Sequence, residues 1–508
     1  MTLGSSNHRA RLPDGLLIRI DNRAGKGLQE QIYLAIRRAI LDGAFAPDSR
    51  LPSSRSLAND LRVSRTTTLL AYEQLIAEGY VSARHGSGTF VESELPDDLP
   101  QQTSSRRDLR TRHPHLSRRG VALAATPVAA RRISGPPRAF RLGVPALDLF
   151  PLRLWSQLIT RRLRSTTMSQ LDYTDPAGYA ELRAAVANHL QMARGTRCSA
   201  DQVVIVAGAQ RALQMVCSVL LDPGDRVWLE NPGYPGARGA LIGAGARIVP
   251  VRVDSDGLDV AAAARQAPDA RMAMVTPSNQ FPLGVPMSLV RRLALLKWAS
   301  GASAWVVEDD YDSEFRYGTR PFPCLHGLDT DGRVIYIGTF AKSVFPALRL
   351  GFVVVPSDLH ASFLAARRAS DLHPPLLEQM ALADFMVDGH YARHLRRMRS
   401  AYRERLEALS EAVERTCAGA LRLRPVQAGL HAFADLDDVD EELVCDEAKA
   451  RGVEVSPMGT YFIGRRMANG LVLGFAATRP DAIREGIELL AASIEAARRT
   501  ARHQRLAR

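Results

Sequence analysis

The stretch Gly338-Thr-Phe-Ala-Lys342-Ser-Val-Phe-Pro-Ala-Leu-Arg349-Leu-Gly351 follows the apolar run Val334-Ile-Tyr-Ile-Gly338. A short apolar run bounded by small residues reads as a buried strand, so Lys342 stands in the turn that ends it. Burial converts such a lysine into a nucleophilic amine able to condense with an aldehyde. The hydroxyls of Thr339 and Ser343 and the guanidinium of Arg349 are close in the chain, as a phosphate would require. Upstream, Trp305-Val-Val-Glu-Asp309-Asp-Tyr311 reads as a second buried strand that delivers a carboxylate and a phenol. A lysine for an aldehyde, an aspartate for a pyridinium and an arginine for a phosphate are the parts of a pyridoxal 5'-phosphate (PLP) site.

Further stations fit that chemistry. Gly208-Ala209-Gln210-Arg211 follows the run Val203–Ala207 and opens a helix whose backbone N–H groups can hold phosphate. Glu230-Asn-Pro-Gly-Tyr234 ends the next run and offers an aromatic ring to stack on a pyridine. Thr276-Pro-Ser-Asn279 offers an amide to a phenolate oxygen, and Tyr311 the same oxygen a phenol. Tyr173, in Tyr-Thr-Asp-Pro-Ala-Gly-Tyr179, is placed to reach a phosphate from a neighbouring subunit. Strands at 203–207, 226–230, 246–250, 272–276, 304–308, 334–338 and 351–356 alternate with helices, which predicts a mainly parallel α/β sheet with its site at the strand ends. The tail from about Leu376 is helix-rich, with strands near 429–434 and 471–476, and predicts a small α/β subdomain.

The front of the chain has a different character. Ile32, Ala35, Ile36, Ala39 and Ile40 give a helical stripe. A second helix carries Leu57, Ala58 and Leu61 with Arg55 at its start. Ser64 caps a third that opens Arg65-Thr66-Thr67-Thr68. Two short strands follow, joined by the basic tip Arg84-His85-Gly86-Ser-Gly88. Arginine forks onto guanine, hydroxyls and amides onto phosphate, and His85 and Gly86 suit a minor groove, so this order predicts a DNA reader. Residues 92–137 lose periodicity and are rich in Pro, Ser and paired arginines, which predicts a basic, largely disordered linker.

Composition agrees. A length of 508 residues exceeds one core, and two or three domains are expected. The formal charge of +12 is concentrated in front. Residues 1–91 carry 12 basic and 8 acidic side chains and residues 92–138 carry 9 and 5, where a polyanion would bind. Cys198, Cys217, Cys324, Cys417 and Cys445 show no metal-ligand spacing, so no metal site is expected. With no signal peptide or long apolar span, a cytoplasmic location is expected.

The segments Leu51-Pro-Ser-Ser-Arg-Ser-Leu-Ala, Val63-Ser-Arg-Thr-Thr, Ala71-Tyr-Glu-Gln-Leu and Gly86-Ser-Gly-Thr-Phe-Val91 resemble the winged helix of GntR regulators over residues 27–91. The body resembles a fold-type I aminotransferase, and the whole chain the MocR/GabR-type subfamily of GntR regulators. Its most specific stretches are Glu308-Asp-Asp-Tyr-Asp-Ser-Glu-Phe-Arg316 and Gly338–Lys342. The fold class that follows is multidomain: an N-terminal winged helix-turn-helix, then an α/β fold-type I PLP-dependent aminotransferase-like domain over residues 138–495 with a small C-terminal α/β subdomain. The resemblance implies Lys342 as the Schiff-base lysine, Asp309 opposite the pyridine nitrogen, and Tyr311 and Asn279 near its phenolic oxygen. It also implies Tyr234 on the ring and Ala209, Gln210, Thr339 and Arg349 around the phosphate. It further implies a head-to-tail homodimer in which each winged helix leans on the partner's body.

Two departures bear on function. Ala341 stands where this family often has serine, removing one phosphate hydroxyl. Aminotransferases clamp the substrate carboxylate with an arginine near the last strand, whereas Gly470-Leu-Val-Leu-Gly-Phe475 has none, and nothing in the sequence places Arg465, Arg466 or Arg479 in that role. The expected function is a transcriptional regulator that binds an operator and senses an amine, an amino acid or PLP through Lys342. The alternative is an aminotransferase with an accessory DNA-binding domain.

Overall fold

The computed structural model describes residues 7–11, 17–21, 27–84, 86–96, 116–126, 138–317, 323–417 and 419–506. The chain divides into two compact units, Met1–Pro114 and His115–Arg508.

In the first unit, helices α1 (Leu28–Leu41), α2 (Ser54–Leu61) and α3 (Arg65–Ala77) precede a hairpin of β3 (Val81–Arg84) and β4 (Gly88–Val91). Ile32, Ile36, Leu57, Leu61, Ala71 and Leu75 bury the stripes that the sequence spacing marks, and form one core with Val81 and Val91. Ser53 and Ser64 accept from Ser56 N and Thr67 N at 3.1 Å and fix where α2 and α3 begin. An additional antiparallel pair lies ahead of α1: β1 (Asn7–Arg11) and β2 (Leu17–Asp21), in register from Asn7–Asp21 to Arg11–Leu17. It enlarges the unit beyond the expected 27–91, and its Ile20 joins the same core.

The basic linker needs a correction. It is not without structure, because α4 (Arg118–Ala124) forms within it, capped by Ser117. Arg119 donates to the carbonyl of Gly243 at 3.3 Å, so this piece is seated on the body. Residues 97–115 and 127–137 lie outside the described residues.

The second unit is built on an eight-stranded sheet. Its strands are β5 (Val203–Val206), β6 (Arg226–Asn231), β7 (Arg247–Asp254), β8 (Gly257–Leu258), β9 (Met272–Val275), β10 (Trp305–Asp310), β11 (Val334–Thr339) and β12 (Gly351–Val354). Spatial order is β5-β12-β11-β10-β9-β6-β7-β8. The pairs from β11 through β7 are parallel, whereas β12 runs antiparallel to both its neighbours. Helices α5 (Leu152–Ser165) and α6 (Ala180–Arg194) precede the sheet. The connections carry α7 (Ala209–Leu220), α8 (Pro235–Ala244), α9 (Val260–Gln266), α10 (Leu289–Gly301), α11 (Leu325–Leu328) and α12 (His360–Arg368). Strands buried on both faces explain their unbroken apolar runs.

Helices α13 (Leu376–Val387) and α14 (His390–Thr416) lead into a smaller antiparallel sheet ordered β13-β14-β16-β15, where β13 is Leu421–Leu423, β14 His431–Leu436, β15 Ser456–Pro457 and β16 Gly470–Gly474. Helices α15 (Glu441–Ala450) and α16 (Pro480–Leu506) cover it. A bridge from Phe140 to Gly474 brings the start of this unit against β16, which delivers the next residues, Leu142 and Gly143, to the site. Among the described residues no helix is long and apolar enough to cross a membrane.

Candidate cofactor site and nucleic-acid interface

The cavity that contains Lys342 is lined by Asp310 and Tyr311 at the end of β10 and by Gly338 and Thr339 at the end of β11. Its Nζ donates to the carbonyl of Gly143 at 2.8 Å, a partner 199 residues away. Gly143 has φ +73°, and a Cβ there would lie 2.9 Å from that Nζ, so the approach requires glycine. Asp309 is buried, and its Oδ1 has no hydrogen-bond partner among the described residues. Burial, reinforced by the Asp310 carboxylate and only partly offset by Lys342, pushes the Asp309 carboxyl up to about 7. An orphaned buried oxygen of this kind fits a cationic N–H donor such as a pyridinium.

Tyr311 and Asn279 meet as expected: the Tyr311 hydroxyl donates to the Asn279 carbonyl at 3.0 Å, and Asn279 Nδ2 lies 3.1 Å from that hydroxyl. The same Nδ2 donates to both oxygens of Asp312, whose carboxyl burial raises to about 8. Tyr234, the N-cap residue of α8, packs edge-on to Phe281 with centroids 5.9 Å apart. Burial, with the Asp309 carboxylate adding to it and Arg349 opposing it, pushes the Tyr234 hydroxyl up to about 12.

Around the expected phosphate, Gly208 adopts φ +86° and lets Ala209 and Gln210 open α7. The Arg349 guanidinium packs against Gly208, 3.4 Å from where a Cβ would stand, and donates to the Ala207 carbonyl at 2.9 Å. Cation and helix N-terminus thus face one space. Gln210 donates instead to the Gly236 carbonyl and braces α8 against α7. Thr339 Oγ1 accepts from Ala341 N and shapes the lysine turn. Ser343 is a correction: it is buried and accepts from the Tyr391 hydroxyl at 3.0 Å, because the turn after Lys342 points it into the core. Tyr173 is 81% exposed, set edge-on to His373, and the chain's own fold brings it to none of these groups.

Sequence reasoning missed His431, on β14 of the other sheet. It stacks over Tyr311 at 6.5 Å and lies 5.2 Å from Phe281. Burial and Lys342 depress its pKa to about 4, so it is neutral near pH 7. No local motif announces it, and only β14–β16 pairing brings it in. Glu230 was likewise read only as a strand end; it accepts from Thr276 and Gln280 and holds the turn carrying Asn279.

In the first unit, Arg55, Arg65, Thr66 and Gly86 are exposed, and Arg65 and Thr66 form the open end of α3. Ser64 and Thr67 hydroxyls bond each other at 2.8 Å and fix that end. Thr68 is a second correction: it is fully buried, and its hydroxyl donates to the carbonyls of Ser54 and Arg65, tying α3 to α2. His85 lies outside the described residues.

Comparison with known proteins finds a relative for each unit. Residues 28–91 match the family of bacterial regulatory proteins, gntR family, and residues 142–484 match aminotransferase class I and II. A probable rhizopine catabolism regulatory protein MocR of Rhizobium meliloti is 40% identical over 93% of this chain and 94% of its own. The chain belongs to the MocR-type GntR regulators. Another such regulator, TauR of Rhodobacter capsulatus, is 34% identical over 92% of this chain and 97% of its own. Among solved structures, the α-aminoadipate aminotransferase LysN of Thermus thermophilus matches at 30% identity and a TM-score of 0.68, covering 74% of this chain and 97% of that one. On β16 of this MocR-type regulator, Val472 is fully buried in a cluster with Phe433, Met458, Tyr461 and Phe462. Of the three arginines considered for that role, Arg466 pairs with Glu441 and Glu442, Arg479 lies 3.9 Å from Asp481, and Arg465 is exposed.

Proposed function

We propose that this MocR-type regulator holds PLP on Lys342 and that occupancy of this pocket changes operator binding by the first unit. The observation that carries the reading is Asp309, a buried carboxyl whose Oδ1 has no hydrogen-bond partner among the described residues and which interacts with the Lys342 amine. When bound, the coenzyme supplies an aldehyde that a primary amine captures with loss of water. The residues do the rest. Lys342 is kept poised by the Gly143 carbonyl, Asp309 pairs the ring N–H, and Tyr311 with Asn279 holds the phenolic oxygen. Arg349 and the start of α7 take the phosphate, and the Tyr234 ring excludes water from one face.

A ligand switches DNA affinity only by binding two conformations unequally. The test is operator binding by the full chain with and without PLP and amines, beside the absorbance spectrum. Ligand-dependent binding is expected, and an operator affinity indifferent to every addition overturns the reading. Two copies and paired half-sites fit the dimeric head of such regulators. Steady amino-acid turnover is disfavoured, because β16 carries no arginine and Val472 lies in an apolar cluster.

The interface makes its own prediction. Arg65→Ala should weaken operator binding by about 1–3 kcal/mol, with relaxed preference at one base, as read by fluorescence anisotropy on matched and mutated operators. Arg55→Ala should weaken all duplexes alike and flatten the salt dependence.

A further inference from the structure

Helix α4 belongs to the second unit, although it lies in the basic stretch that leads out of the first. Its ends are tied off locally: Ser117 Oγ accepts from Gly120 N at 3.0 Å, and the Thr126 hydroxyl donates to the Ala122 carbonyl at 2.9 Å. It rests on the last turn of α8. Arg119 donates there to the Gly243 carbonyl, one of the end groups that a helix leaves without a partner of its own, and brings a cation to the negative end of the α8 dipole. Leu123 lies across Gly243, 3.9 Å from where a Cβ would stand, and the Arg119 stem is 3.7 Å from the equivalent point at Gly245. The seat is weak. No residue of α4 is buried, and Leu116, Val121 and Leu123 remain exposed. Seven residues are too few to hold a helix in isolation, where even 12 to 15 are roughly marginal. Helix α4 therefore persists because it is seated, and a small free energy decides whether it is.

The other end of α8 adjoins the candidate coenzyme site. Tyr234 is its N-cap residue, and Gln210, from the first turn of α7, donates to the Gly236 carbonyl at 2.9 Å. A Cβ on Gly236 would stand 2.3 Å from Gln210 Oε1 and 2.4 Å from the Tyr234 ring, so both press on the backbone of that first turn. Helix α8 spans ten residues, about 15 Å, with its first turn against the site and its last under α4. Seating also sets a length. Ser117 is 26 residues beyond Val91, the last residue of β4, whereas Phe140, which bridges to Gly474, is 49 beyond. At about 3.5 Å per residue the tether reaches at most ~90 Å with α4 seated and ~170 Å with it released.

We propose that α4 is a releasable clip that halves the tether of the DNA-binding unit, and that filling the coenzyme site strengthens its seat. Whatever fixes the Tyr234 ring also fixes the first turn of α8, and the helix carries that restraint to Gly243. The clip stands apart from any reading of the coenzyme, whereas its coupling to occupancy rests on the proposed role of Lys342.

The full chain carrying Arg119→Ala with Leu123→Asp tests the clip. Hydrogen exchange over residues 117–126 should rise to the unprotected rate. Affinity for a single half-site should stay unchanged. Affinity for a paired operator should fall about two- to threefold, because the effective concentration of a second head falls with roughly the 3/2 power of tether length. Unchanged paired binding after protection is lost overturns the tether role, and a wild-type α4 that already exchanges freely overturns the seat. Leu123→Cys combined with Gly243→Cys should, on oxidation, close a disulfide within one chain. A disulfide between chains would place α4 on a second copy and overturn the clip. In the wild-type chain, PLP should slow exchange over residues 117–126 severalfold. A visible PLP band without slower exchange overturns the coupling, whereas a chain that never develops the band overturns the reading of Lys342 beneath it, so the two failures are distinct.

Discussion

Lys342→Ala is expected to abolish the visible band that PLP gives the wild-type chain, together with all response of operator binding to amines. The reason is chemical. In the proposed site, Tyr234, Asp309, Arg349 and the start of α7 are the groups assigned to ring and phosphate without covalent chemistry, whereas capture of the aldehyde needs an amine at one place. That amine is set by the end of β11 and by the Gly143 carbonyl at 2.8 Å. Operator affinity without ligand should be unchanged, because α2 and α3 lie in a separate compact unit. Lys342→Arg separates charge from nucleophilicity: it keeps the cation beside Asp309 but cannot condense. It should therefore bind DNA normally and remain silent to amines. In the wild-type chain, borohydride should fix the coenzyme mass on the peptide bearing Lys342. If Lys342→Ala still answers amines in an operator-binding assay, the site has been misread.

The second large effect concerns stability without the coenzyme. Burial raises the carboxyls of Asp309, Glu230 and Glu308 to about 7 and that of Asp312 to about 8. Their ordinary values are near 4. Between those limits the folded chain holds protons that the unfolded chain has released. The stabilisation is fully present below the unfolded values and is lost as pH rises through 7 to 8. Buried His394 and His431, depressed to about 4, act in the opposite direction, but their effect is complete by pH 7. Comparing pH 7 with pH 8.5 reads the carboxyls together with the buried cysteine thiols, which burial also raises and which act in the same direction. The coenzyme-free chain should lose on the order of 2 kcal/mol or more, or a few degrees in melting temperature.

Asp309→Asn should raise the melting temperature of the coenzyme-free chain at pH 8.5 while weakening PLP by roughly two orders of magnitude, because a buried ion pair has lost one partner. Loss of stability together with loss of PLP would mark Asp309 as structural. A melting temperature flat from pH 7 to 8.5 would show that these carboxyls are already ionised in the fold.

Much of this was legible in the chain because it is local. Ser64 capping α3, Lys342 in the turn after β11 and Asp309 near the end of β10 are each set by a few neighbouring residues, and spacing exposes them. The helical stripes of the first unit and the apolar strands of the second were legible for the same reason. The β1–β2 pair was not anticipated, since five-residue strands gain their meaning from α1 and the Ile20 contact. The short α4 was hidden by the basic, periodicity-free linker around it. Thr68 and Ser343 looked like ligands by type, but the helix rotation and the turn send their hydroxyls inward.

By itself, then, the sequence determined the two-part architecture, the order along the chain of the strands that carry chemistry, and the lysine, aspartate and arginine on which the proposed PLP site rests. Tertiary structure alone decided the partner of Lys342, the presence of His431 and the apolar cluster around Val472. Those depend on two sheets closing on each other, with Gly143 and Lys342 separated by 199 residues and His431 by a further 89 along the chain. Neighbours so distant are selected by packing, which no run of adjacent residues encodes.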